Sequence, residues 1–75
     1  MEKYKNLSGN SNVKAYQIGN DSITIRFKDG SVYLYTYLSA GRSNVGEMKN
    51  LAIAGKGLDS YIKRHVKKSY AEKLK

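Results

Sequence analysis

Four cations lie close together near the end of this 75-residue sequence: Lys63, Arg64, Lys67 and Lys68. Residues spaced three or four apart are neighbours on a helix surface, so the four occupy one side of a helical segment. Clustered Lys and Arg side chains neutralise phosphates without regard to base identity. Lys56 stands just before them, and Arg26 and Lys28 lie in a stretch patterned like a β-strand that can extend the basic patch. The stretch GSVYLYTYLS, 30–39, places Tyr33, Tyr35 and Tyr37 at every second position. Alternate strand residues share a face. The three rings therefore form either part of a core or a platform on which bases stack. The plainer alternative for the cations is a solvated helix face.

The totals support a polyanionic partner. The chain has 14 Lys plus Arg against 6 Asp plus Glu, a net charge of +8. Such a field attracts nucleic acid, an anionic membrane surface or an acidic protein. Residues 56–75 hold seven of the basic residues and two of the acidic ones. Without cysteine there is no disulfide and no thiolate metal site, and stability must come from the core. No apolar run is long enough to span a membrane, and the polar start MEKYKNLSGNSN lacks the apolar stretch of a secretory signal. The expectation is a small cytoplasmic protein with no membrane partner.

Catalytic chemistry is poorly represented. The single histidine, His65, sits in the basic run with no nucleophile or carboxylate spaced to use it. Asp29 reads as turn chemistry, and Glu47 and Asp59 as helix-start chemistry. No carboxylate pair and no set of metal ligands is spaced for use. The GKG at 55–57 is too short for a phosphate loop. The expectation is a non-enzyme with no metal and no cofactor.

The elements that must position the cations and tyrosines can be read from periodicity. Residues 1–12 are turn-rich and read as a flexible lead-in, leaving 13–75 as one domain. VKAYQIG, 13–19, is a modest strand whose apolar residues change parity after Ala15. In SITIRFK, 22–28, Ile23, Ile25 and Phe27 alternate with polar residues. Asp29-Gly30 is a hairpin signal, and SVYLYTYL is the return strand. Asn44, with Glu47 three residues on, predicts a helix cap. Val45, Met48, Leu51 and Ala52 form its apolar stripe, and Gly55 its left-handed stop. Asp59 or Ser60 can cap a second helix, with Leu58, Ile62, Val66, Tyr70 and Leu74 recurring every four residues. The predicted class is α+β: a three-stranded antiparallel β-meander with two C-terminal helices packed on one face.

The hairpin admits two registers. A two-residue loop turns the tyrosines outward beside Thr24, Arg26 and Lys28. A three-residue loop, Lys28-Asp29-Gly30, with Gly30 left-handed, puts them with Ile23, Ile25 and Phe27. A slip of one residue exchanges the faces. Tyrosine tolerates half-burial better than leucine tolerates exposure, which slightly favours the outward arrangement.

Phe27, Asp29, Gly30, Tyr33 and Tyr35, with the SNV start and the later YIKRHVKKSY, resemble the KTSC domain over about residues 11–70. That domain is named for its occurrence at the C-terminus of some lysyl-tRNA synthetases, and also occurs as a stand-alone bacterial protein. The resemblance implies that Tyr33 and Tyr35 lie on the packed face, with Tyr37 left open. It also implies tRNA or structured RNA as partner. The expected function is a small RNA- or nucleic-acid-binding module. The alternative is a protein-interaction or self-association module, with a protein partner or a homodimer covering the free sheet face.

Overall fold

In the computed structural model, which describes residues 1–75, the central hairpin closes through Lys28, Asp29 and Gly30. Strand β3 (Ser22–Phe27) pairs Ile25 with Tyr33 and Ile23 with Tyr35 of β4 (Val32–Thr36). Two backbone bonds define the loop. The Phe27 N–H donates to the Ser31 carbonyl at 2.9 Å, and the Gly30 N–H donates to the Phe27 carbonyl at 3.0 Å. Gly30 has φ +90°, a conformation cheap only without a Cβ. Asp29 fixes the loop further, its Oδ1 accepting the Ser31 N–H at 2.9 Å and hydroxyl at 2.6 Å. The longer loop therefore places Tyr33 and Tyr35 beside Ile23, Ile25 and Phe27. Tyr35 is 2% exposed and Tyr33 half-buried.

The parity change in β2 (Val13–Ile18) has a structural cause. Val13 opposes Phe27 but Ala15 opposes Arg26, so Lys14 is an extra residue, a β-bulge. Beyond it Tyr16 opposes Ile25 and Ile18 opposes Ile23, on the packed face. The bulge lets Val13 and Tyr16, three residues apart, serve the same core.

The sheet has five antiparallel strands in sequence order, where three were expected. The added strands come from the two ends of the described chain. Strand β1 (Glu2–Lys3) pairs with β2, and β5 (Glu72–Lys73) with β4. Residues 1–12, expected as a flexible lead-in, thus place Glu2 and Lys3 in the sheet. They also supply Tyr4, 2% exposed, to the core. Its hydroxyl accepts the Leu58 N–H at 3.3 Å, one of the unpaired donors at a helix start.

The helices cover one face. Thr36 and Ser39 form a capping box for a single turn, α1 (Tyr37–Ala40), which ends the tyrosine row: Tyr37 belongs to the helix, not to β4. Helix α2 (Arg42–Ala54) starts earlier than Asn44 suggested, with Gly41 at its cap. Asn44 lies inside it and donates from Nδ2 to the Ala40 carbonyl at 2.8 Å. Val45, Met48 and Ala52 are buried, and Gly55 is the left-handed stop, its N–H donating to the Leu51 carbonyl. Lys5 packs over Gly55 so closely that a Cβ there would lie 2.6 Å from the lysine's own Cβ.

Helix α3 (Leu58–Tyr61) continues as a π-helical turn, Ile62–Val66. Gly57, not Asp59 or Ser60, is its cap residue. Leu58, Ile62 and Val66 enter the core, but the expected stripe stops there. The chain turns, with the Ser69 N–H donating to the Val66 carbonyl, and runs back along β4. Tyr70 and Leu74 are therefore not helical. The open edge of β4 offers backbone partners that further helix would leave unused. Ala71 donates to the Leu34 carbonyl and Leu74 to the Val32 carbonyl, each at 2.7 Å.

Candidate nucleic-acid interface

The β3–β4 hairpin and the α3 segment leave a cleft of about 450 Å³ between them. Its apolar floor is Phe27, Tyr33, Tyr35 and Ile62. The rings meet edge to face. Phe27 and Tyr33 have centroids 5.7 Å apart, and Tyr33 and Tyr70 4.8 Å, both in the favourable T-shaped range. Tyr70, although no longer helical, thus props the outer side of the aromatic group and stays 39% exposed. Burial, then the neighbouring Tyr33 and Tyr70, pushes the Tyr35 phenol up to about 12. It stays neutral at physiological pH.

Cations reach the cleft from both walls. Lys28 comes from the hairpin, and Lys63 and Lys67 from the π-helical turn and the residue after it. Two carboxylates stand among them. Asp29 is held below the usual carboxylate value by the hydroxyl of Ser31 and then by its N–H. Asp59 accepts on Oδ2 from the backbone N–H and Nδ2 of Asn12, both at 3.3 Å. The same oxygen lies 3.4 Å from the Lys63 ammonium. The Lys63 side chain is 62% exposed and that of Asp59 only 14%; water around the ammonium screens the attraction, which leaves Lys63 able to exchange it for another anion.

The structure gathers Lys28, Lys63 and Lys67 with Tyr33 and Tyr35 at this one cleft. Arg64 and Lys68 are exposed on the same segment but do not line it. Arg26 is exposed on the other face of the sheet, opposite Val32 and Ala15. Lys56 is exposed in the turn between α2 and α3. The seven cations thus do not make one continuous patch.

Tyr37 lies apart from the row. The Arg42 guanidinium and the Lys49 ammonium each sit 5.1 Å from its ring centroid. Lys49 also donates to the Asn20 carbonyl at 3.2 Å and lies 3.4 Å from the Tyr37 hydroxyl. His65 packs on Tyr61, centroids 4.4 Å apart, and the Tyr61 hydroxyl donates to Asn44 Oδ1 at 2.7 Å. No cluster of three or more metal-ligating side chains is present, and no helix is long and apolar enough to cross a membrane.

Sequence reasoning missed Asn12 and Ser31 as cleft residues and saw Asp59 only as helix-start chemistry. Asn12 is 47 residues from Asp59 and carries no local signal for that contact. The Ser31 bonds follow the Asx-turn preference of Asp two residues earlier, and that signal was available. No protein-family model, curated protein or solved structure matches this chain.

Proposed function

We propose that this protein is a small, non-catalytic module that binds RNA or other nucleic acid, using the cleft and the cationic segment beside it. The observation that carries this reading is the convergence of Lys28, Lys63 and Lys67 on a cleft floored by Phe27, Tyr33 and Tyr35. Single-stranded nucleic acid is held by this combination: ammonium groups on successive phosphates and rings on which a base stacks. Arg64 and Lys68 extend the positive field along the incoming backbone. The resemblance to the KTSC domain agrees with this and favours structured RNA as the partner.

The test is a titration of labelled tRNA and of a random single-stranded RNA at two salt concentrations. Three phosphate contacts weaken single-strand binding roughly 20-fold between about 50 and about 200 mM salt. Replacing Lys63, Arg64, Lys67 and Lys68 by Glu removes most of the remaining affinity. No binding at the lower salt rejects the proposal, and unchanged affinity in the reversed variant moves the interface elsewhere.

The second reading is a protein-interaction or self-association surface. It draws on the sheet face away from the helices, where Gln17 and Arg26 are exposed and Ala15, Thr24 and Leu34 half-buried. A concentration-independent monomer mass by light scattering would eliminate its homodimeric form.

A further inference from the structure

A groove that only tracks phosphates has no use for carboxylates, which repel them. Yet this cleft keeps two among its three lysines, and both are pinned. Both bonds to Asp29 fall on Oδ1, leaving Oδ2 without a partner. All contacts to Asp59 fall on Oδ2, leaving Oδ1 without one. An ionised carboxylate is an acceptor only. What it selects within a nucleic acid is a group of N–H donors, and the bases differ in that respect. Guanine alone puts two adjacent donors, N1–H and the N2 amine, on its Watson–Crick edge. Adenine, cytosine and uracil each place acceptors beside a single donor group. In an unpaired strand that edge is free to be read.

We infer that the cleft holds one unpaired guanine, its ring on the Phe27–Tyr33 floor and its Watson–Crick edge on the free oxygen of Asp29 or Asp59. Lys28, Lys63 and Lys67 hold the phosphates on either side. The volume suits this occupant, since pockets for small organic groups run from about 300 to about 1,000 Å³ and this one is about 450 Å³. The inference rests on the proposed nucleic-acid function and adds base selectivity to it.

The test compares short labelled uridine oligonucleotides carrying one central guanosine, inosine, adenosine or cytidine, at fixed low salt. Guanosine is expected to bind about tenfold more tightly than adenosine or cytidine. Inosine, which keeps N1–H but lacks the N2 amine, falls between. D29N or D59N, or the two together, abolishes the preference while leaving all-uridine binding equal or tighter. Asn keeps an acceptor oxygen for Ser31 or Asn12, and the inosine comparison on the unaltered protein stands even if a variant misfolds. Equal affinity for the four oligonucleotides, or a preference for adenosine or cytidine, overturns the inference and leaves general nucleic-acid binding intact. A guanosine preference unchanged in the double variant overturns the role of the carboxylates. No binding of any oligonucleotide removes both readings.

Discussion

The two ends of the described chain do the same thing by different means. Residues 2–3 and 72–73 each add a two-residue strand to an edge of the sheet. The first is anchored by a side chain: Tyr4 is buried among Val13, Met48, Leu58 and their neighbours. The last is held mainly by its backbone. Residues 70–75 are all exposed, and Tyr70 meets the core only at the rim of Tyr33 and Tyr35. Equal secondary structure thus conceals unequal energetics. A buried aromatic removes a large apolar area from water, whereas an exposed cross-strand bond largely exchanges for one to solvent.

Substitutions can break that comparison. The largest effect is expected for Tyr4→Ala, which opens a core cavity and should cost about 3–5 kcal/mol in denaturant unfolding. Tyr4→Phe keeps the ring but strands the Leu58 N–H, at about 1–2 kcal/mol. A loss below about 1 kcal/mol for Tyr4→Ala would show that the two ends are alike after all.

High pH probes the boundary between the segments. The unfolded Tyr35 phenol ionises near 10 and the folded one near 12. Its contribution is complete below pH 10 and is lost as pH rises from 10 to 12. The loss should be on the order of 1–2 kcal/mol after allowing for solvent at the ring edge. Tyr35→Phe should flatten this part of the stability–pH curve. An identical slope in the variant would place the titration elsewhere.

At the other end, Ala71→Pro removes the donor to the Leu34 carbonyl. It should cost about 1 kcal/mol and raise amide exchange in β4 without altering the rest of the sheet. Tyr70→Ala should be milder still, about 0.5–1 kcal/mol, the scale of an aromatic pair at a wet edge. A global loss of protection in either variant would make the last segment as structural as the first.

Local pattern carried the centre of the fold and failed at its periphery. Ile23, Ile25, Phe27, Asp29-Gly30 and Gly55 announce themselves through alternation, turn chemistry and a left-handed stop. The loop length was open, because both registers satisfy local preference. The difference between them lies in Tyr35 packing beneath α2 and α3. The bulge at Lys14 was visible only as a parity fault. Tyr4 stands in a polar stretch with no period to mark it. Tyr70 and Leu74 matched a helical spacing that the β4 edge overrode. Of the candidate site, residue types were legible but not assembly. Lys28, Lys63 and Lys67 meet because hairpin and helix share one face of the sheet: Arg26 stays on the outer face within β3, whereas Lys28, which alternation would have left beside it, lies in the turn after the strand ends at Phe27.

The π-helical turn sets the angular phase of everything after it. Wider than an α-turn, it keeps residues four apart nearly in line, so Ile62 and Val66 both point inward while Lys63 and Lys67 both flank the cleft. Wound instead as an ordinary α-helix, at about 100° per residue, the same residues would carry the following side chains further round the axis. Lys67 would swing off its wall although no charge had been removed, so this site can be mistuned by indexing alone.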